Sequence, residues 1–221
     1  MTTSGWLGAM WPVVRRHLPP APARVVEIGC GPVGGFVPLL LETGYEAVGI
    51  DPKAPSGSHY ASIEFERFDS AQPFDAAIAC TSLHHTRDPG RVLDQLATML
   101  PSGGRVVVVE WAWERFDVAT AQWCFAHIGE RGSSWLHRHR DEWVASGREW
   151  DEYLHSFARH HGLHSAQELL RVLDERLERR LSEDGPYFFA DLPGMTDAEE
   201  RAAIEAGAIQ AVRIDWVGVR R

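Results

Sequence analysis

A run of glycines is the first group of residues able to do chemistry. Glu27-Ile28-Gly29-Cys30-Gly31-Pro32-Val33-Gly34-Gly35 follows an apolar stretch and precedes Phe36, Val37, Leu39 and Leu40, the apolar positions of a helix. Glycine lets the chain turn tightly between strand and helix and brings its backbone close to a bound nucleotide-like ligand. Asp51 ends the next apolar stretch, seventeen residues after Gly34, where a carboxylate can accept both hydroxyls of a ribose. His84 and His85 follow the fourth such stretch, and Glu110 closes the fifth. Histidine accepts a proton near neutral pH, which makes His84 and His85 candidate general bases. Glu110, at the same sheet edge, is a candidate substrate-facing acid or base.

Residues so far apart meet only if a sheet brings its strand ends to one edge. From Arg24 to Glu110 short apolar runs alternate with helix-like stretches, which is the pattern of βαβ units in a parallel sheet. Predicted strands cover residues 25–28, 47–50, 63–68, 74–79 and 106–109, the last being four valines apolar on both faces, as a covered central strand requires. Asp88 caps a predicted helix with Pro89 at its first position, and Pro101-Ser102-Gly103-Gly104 stops it. Residues 113–185, rich in Trp and His and without a β-branched run, read as an all-helical insertion after the fifth strand, in which Ser165 and Glu168 form a capping box. Tyr187-Phe188-Phe189 then restarts a strand, Thr196 with Glu199 opens another helix, and residues 208–219 form the last strand. The fold class expected is α/β, a doubly wound, mostly parallel sheet. Residues 1–112 and 186–221 make its core, and residues 113–185 cover the substrate site.

The chain of 221 residues, 44% hydrophobic and 24% charged, has the composition of a soluble globular domain. Twenty-two basic residues, scattered, against thirty-one acidic ones give a formal charge of -9, which argues against nucleic acid as partner and fits a small, weakly charged substrate. Cys30, Cys80 and Cys124 are too far apart for a disulfide framework or a CxxC metal knuckle, as in a reducing cytoplasm. No export signal opens the chain and no apolar run approaches the ~20 residues that span a bilayer, so a cytoplasmic location without membrane contact is expected. His137, His139, His155, His160, His161 and His164 invite a metal reading, with His160 and His164 on one helix face, but no carboxylate completes the set and no metal is expected. Six of the nine tryptophans, Trp111, Trp113, Trp123, Trp135, Trp143 and Trp150, should pack the insertion, and some could wall an apolar pocket.

Dinucleotides and S-adenosylmethionine share the geometry of a glycine turn followed by an acidic strand end. Glu27, two before the first glycine, separates them: a carboxylate there suits a cationic ammonium or the turn's own amides and repels a pyrophosphate. Over roughly residues 25–111 the sequence resembles the class I S-adenosylmethionine-dependent methyltransferases, in particular the small-molecule branch of ubiquinone and menaquinone type. Val26-Glu27-Ile28-Gly29-Cys30-Gly31 is similar to the family's first motif and Gly49-Ile50-Asp51 to its ribose-binding strand end. Phe68-Asp69-Ser70 resembles the stretch whose acid meets the adenine amino group, and Phe74-Asp75-Ala76-Ala77-Ile78, followed by Cys80-Thr81-Ser82-Leu83-His84-His85, resembles the fourth strand and the segment beneath the sulfonium.

The resemblance implies a Rossmann-like seven-stranded sheet with an antiparallel last strand. It also implies methyl transfer to an O, N or C atom of a small acceptor, with S-adenosylhomocysteine as product. Glu27, Gly29, Cys30, Gly31, Gly34, Asp51, Asp69, Cys80 and Thr81 would hold the cofactor, and Trp6 and Trp11 on an N-terminal helix would close over it. Ala79-Cys80-Thr81-Ser82 departs from the Pro-Pro-aromatic motif of nucleic-acid amino methyltransferases, and no aspartate near Cys80 supports a catechol-type magnesium site. A nicotinamide-dependent oxidoreductase and a non-catalytic cofactor-binding module are the competing readings.

Overall fold

The computed structural model describes residues 3–221. Seven strands, β1 (Arg24–Ile28), β2 (Glu46–Ile50), β3 (Tyr60–Ala61), β4 (Ala76–Cys80), β5 (Arg105–Trp111), β6 (Leu177–Gly185) and β7 (Arg213–Arg220), form one sheet. Its order is β3-β2-β1-β4-β5-β7-β6. The first five strands are mutually parallel, and β7 runs antiparallel to both β5 and β6. The order reverses between β1 and β4, and the crevice beyond their carboxyl ends is where an open α/β sheet binds ligands.

The valine strand is buried on both faces because alternate side chains point opposite ways. Val106 and Val108 pack with Leu93 and Leu96 of α3 (Pro89–Met99) and Leu169 and Leu173 of α7 (Ala166–Arg176). Val107 and Val109 pack on the other face with Met10 and Val14 of α1 (Thr3–Arg15) and Leu40 of α2 (Val37–Glu42). Burial of each valine stabilises the fold by roughly 1.5 to 3 kcal/mol. Between β5 and α7, the helices α4 (Val118–His127), α5 (Trp135–Ser146) and α6 (Trp150–His161) bury a separate cluster that includes Trp111, Phe116, Leu136, Trp150 and Phe188. α8 (Asp197–Glu205) opens with the full Thr196–Glu199 capping box. Asp88 caps α3 through Arg91 N. Ser165 caps α7 through Glu168 N, but the Glu168 carboxylate turns to His164 Nδ1 at 3.0 Å, so this box is half formed.

Four expectations need correction. The strand expected at residues 63–68 is a 3-10 turn over Phe65–Arg67, and β3 is confined to Tyr60–Ala61. β2 ends at Ile50, so β3 has no partner beyond Ala61, and the chain instead buries Phe65 and packs Phe68 against Phe74. The all-helical reading of residues 113–185 fails at its end, where Leu177–Gly185 is β6, an outer strand whose charged, exposed residues hide a period of two and protect the sheet edge. Tyr187-Phe188-Phe189 is irregular rather than a strand, because its three backbone amides donate to the fully buried Glu200 carboxylate of α8. The last strand starts at Arg213, later than residue 208.

Candidate active site

The glycine turn leaves β1 at Gly29, whose φ of 79° and N–H bond to Ile50 O at 2.8 Å fold it back over β2. A Cβ on Gly29 would fall 2.3 Å from Ser82 Cβ, so only glycine lets the turn and the segment after β4 touch. Ser82 Oγ donates to Ile28 O at 2.8 Å and closes this seam, a role that sequence reasoning did not assign. Gly31 N donates to Asp51 Oδ2 at 3.1 Å, while Asp51 Oδ1 accepts from Lys53 N at 2.7 Å. Glu27 is 2% exposed, and its Oε2 accepts from Phe36 N at 2.7 Å. Burial pushes its pKa up to about 8, against the amide hydrogen bonds of Phe36 and Val37 that favour the ionised form.

These groups wall a cavity of about 710 Å³ at the carboxyl ends of β1, β2 and β4. Glu27, Gly29, Cys30, Gly31, Asp51, Cys80, Thr81 and His85 all line it. Gly34 does not: it packs against the Tyr60 ring. Burial pushes the Cys30 thiol up to about 12 and the Cys80 thiol well above its ordinary value, so both act as apolar wall rather than nucleophile. Asp69 is displaced from the expected role. It is exposed, bonds its own neighbour Ser70 N at 2.8 Å and lies off the cavity, whereas Glu64 and Glu66 line the corresponding wall. Expecting the strand at residues 63–68 put the acid too late; the true end of β3 at Ala61 brings Glu64 and Glu66 next in line.

Beyond β4, Glu110 is 2% exposed and accepts three hydrogen bonds. Ser82 N at 2.9 Å and Leu83 N at 2.7 Å meet Oε1, and His84 Nδ1 lies 2.5 Å from Oε2. Neither His84 nor Glu110 lines the cavity; they lie behind its wall, where the ring of His84 packs on that of His85 at 4.1 Å, tilted by 39°, and meets Trp111 edge-on at 6.2 Å. His85 reaches solvent at the rim, yet partial burial of its ring and the adjoining His84 push its pKa down to about 4. It is therefore neutral at pH 7 and a weak base. His164 falls outside α6, so it shares no helix face with His160; its N–H donates to His84 O at 3.0 Å and ties the start of α7 to this turn. Among the described residues no three His, Cys, Asp or Glu side chains are grouped to hold a metal ion, and no helix is long and apolar enough to cross a membrane.

On the far side of His84 the aromatic residues of the insertion converge. Trp111 stacks on Tyr187 at 6.3 Å and meets Trp135 and His139 edge-on. Its buried indole N–H has no hydrogen-bond partner. From α1, Leu7 lines the cavity while Trp6, expected there, donates its indole N–H to Tyr187 O at 3.1 Å and Trp11 packs on Phe36.

Residues 9–176 match the model of the methyltransferase domain family, and the chain belongs to that family. The S-adenosylmethionine-dependent methyltransferase of Mesorhizobium loti is 19% identical, with 96% of this chain and 98% of that one aligned at a TM-score of 0.58. The geranyl diphosphate C-methyltransferase of Streptomyces coelicolor A3(2), solved with Mg2+, a substrate analogue and S-adenosylhomocysteine, is 18% identical over 97% of this chain and 76% of its own, at 0.59. The N-methyltransferase NodS of Bradyrhizobium japonicum WM9, solved with S-adenosylhomocysteine, is 16% identical over 98% and 86%, at 0.52. No curated protein matches the sequence. The chain is thus a methyltransferase with the mixed seven-stranded sheet of these structures.

Proposed function

We propose that the chain transfers the methyl group of S-adenosylmethionine to an O, N or C atom of a small, ring-bearing acceptor that approaches from the side of α4–α6. The observation that carries this is the cavity at the reversal of strand order, walled by Glu27, the Gly29 turn and Asp51. The cradle fits an adenosyl ligand: Gly29 leaves no room for a Cβ, the Cβ side of Gly31 is open, and Asp51 presents two carboxylate oxygens able to accept ribose hydroxyls. Glu27 answers the cationic methionine end, and Glu64 or Glu66 replaces Asp69 as the acid for the adenine amino group. Pro32 supplies no amide donor, so the carboxylate end relies on the other amides of the turn.

S-adenosylmethionine supplies a methyl group already activated on a sulfonium. The protein's first task is therefore alignment, which is worth roughly 7 to 11 kcal/mol of barrier, against about 3 to 5 kcal/mol for a general base. Of the two histidines, His84 is the base for an O–H or N–H acceptor, because Glu110 orients its ring through Nδ1 and leaves Nε2 to take the proton. His85 is a wall between cofactor and acceptor. Trp111, Trp135 and Tyr187 flank the acceptor's ring, in keeping with the resemblance to the ubiquinone and menaquinone branch. The insertion that decides acceptor choice is then residues 113–164, since α7 packs on the sheet.

Thermal unfolding with S-adenosylhomocysteine, S-adenosylmethionine or NAD tests this. At a hundredfold excess over Kd the right ligand adds about 2.7 kcal/mol, a rise of roughly 5 to 10 °C for a chain of this size. The expected result is a rise with both adenosyl ligands that Asp51→Ala abolishes. A rise with NAD alone favours an oxidoreductase; tight adenosyl binding without turnover across an acceptor panel favours a binding module.

A further inference from the structure

We propose that His139 and Trp111 together recognise the methyl acceptor, and that the group they take is a hydroxyl, which donates to His139 Nε2 and accepts from the Trp111 indole N–H. This rests on the reading that a ring-bearing acceptor enters from the side of α4–α6, and it adds what that acceptor must carry.

Two helices fix the imidazole of His139. His139 and Glu142 stand about one turn apart on α5, and the hydroxyl of Tyr153 on α6 lies 2.9 Å from His139 Nδ1 and donates to Glu142 Oε2 at 3.1 Å. A tyrosine hydroxyl has a single hydrogen, and a carboxylate only accepts, so that hydrogen goes to Glu142. The Tyr153 oxygen then accepts from His139 Nδ1–H, and Nε2 carries the lone pair. Burial pushes the pKa of His139 down to about 4, so this form holds at pH 7. Tyr153 and Glu142 are therefore positioning residues that choose the tautomer. Nε2 itself makes no hydrogen bond among the described residues and, unlike Trp111 Nε1, is not sealed from solvent. The charge of His161 lowers the pKa of His139 and of His85 alike, which places His139 in the neighbourhood of a wall of the cofactor cavity.

The ring of His139 stands edge-on to Trp111 with centroids 6.4 Å apart, and both residues are 6% exposed. The Trp111 indole N–H is buried without a partner. Folded proteins seldom leave such a donor unpaired. Here a donor with nothing to accept from it adjoins an imidazole nitrogen with nothing to donate to it. An ammonium only donates and would leave Trp111 unpaired. A carboxylate only accepts and would set its charge against the lone pair of Nε2. A hydroxyl serves both nitrogens at once. For packing alone, apolar side chains at positions 111 and 139 would fill the aromatic cluster and leave no polar atom to satisfy.

Three small ring-bearing probes, phenol, benzylammonium and benzoate, test this by titration into the protein saturated with S-adenosylhomocysteine, read from the nitrogen-15 resonances of the His139 ring and the Trp111 indole. Before any probe is added, His139 should show the Nδ1–H tautomer, and Tyr153→Phe, which removes the hydroxyl but keeps the ring, should lose that preference. A structural tie between α5 and α6 needs neither a ligand nor a response to one. Phenol is expected to shift both His139 Nε2 and the Trp111 indole N–H and to bind about 10-fold or more tightly than the other two probes. His139→Phe and Trp111→Phe should each weaken phenol about 10-fold or more and leave the Kd of S-adenosylhomocysteine within about threefold of wild type. The wild-type resonances decide the matter even if one of these variants fails to fold. Phenol that moves neither resonance, benzylammonium or benzoate binding as tightly as phenol, or an Nε2–H tautomer in the free wild type each overturns the proposal. Failure of the wild-type protein to bind S-adenosylhomocysteine overturns the adenosyl reading itself, which separates the two.

Discussion

Glu27→Gln is expected to raise the thermal midpoint at pH 8 to 9 and to weaken cofactor binding in the same protein. Glu27 is 2% exposed, and the groups near it are Asp51, the Cys30 thiol, the Tyr60 hydroxyl and the amides of Phe36 and Val37, with no cationic side chain among them. An unfolded chain ionises this carboxyl near 4.5, the folded one at about 8. Between those values the folded protein holds a proton that the unfolded chain has lost. Glu27 therefore costs nothing below pH 4.5, and it lowers stability progressively until pH passes about 8. The full cost is on the order of 3 to 5 kcal/mol. Glutamine imitates the neutral form and keeps an acceptor for Phe36 N, so the variant should melt roughly 6 to 20 °C above wild type at pH 8 and close to it at pH 5.

The loss on the binding side arises from the same burial. A cationic methionine end favours the carboxylate, so wild-type protein at pH 7 should release close to one proton on binding S-adenosylmethionine. Calorimetry in two buffers of different ionisation enthalpy reads this directly. The variant should release none from this position and bind about 10-fold or more weakly. Unchanged stability at pH 8 together with unchanged affinity would reduce Glu27 to a cap for the turn.

Glu110→Ala is expected to be the most destabilising change at the site. It leaves the amides of Ser82 and Leu83 and the ring N–H of His84 without their acceptor in a buried place. Orphaned donors of this kind cost about 1 to 3 kcal/mol each, with incomplete additivity, so a loss of roughly 3 to 5 kcal/mol and a midpoint lower by about 6 to 20 °C is anticipated. Glu110→Gln is the more informative partner. One amide oxygen can serve the backbone N–H groups, but the NH2 then faces His84 Nδ1, which must become an acceptor, and Nε2 takes the proton. The ring is then in the wrong tautomer to act as a base. For an acceptor that must lose a proton, methyl transfer should fall about 10²- to 10⁴-fold with cofactor affinity unchanged. Nitrogen-15 spectra of the His84 ring report the tautomer independently of any acceptor. A carboxylate acceptor insensitive to Glu110→Gln would show that the His84 base is not used.

How much of the site was legible in the sequence differs by residue, for physical reasons. The glycine turn, Asp51, Cys80, Thr81 and His85 could be placed at one sheet edge because each ends or closely follows a short apolar strand, and in a parallel sheet such positions share an edge. Asp69 was misplaced because β3 is only two residues long and carries no periodicity to anchor the residues after it. β6 was invisible because an outer strand facing solvent needs no apolar alternation, and Leu-Glu-Arg-Arg-Leu reads as readily as the continuation of α7.

Local pattern by itself determined the doubly wound core and the strand ends that carry the site, because hydrophobic period and turn chemistry are set by neighbours along the chain. Tertiary structure alone decided which carboxylate does what. Glu27 is a buried acid beneath a helix start, Glu110 a clamp on three donors and Glu200 the anchor of an irregular loop, and these roles depend on which amides happen to lie within 3 Å once the chain is folded. The φ of +48° at Thr81 belongs to the same class. A backbone angle of this kind is imposed by hydrogen bonds from β5 and Glu110, and these lie about thirty residues away in sequence.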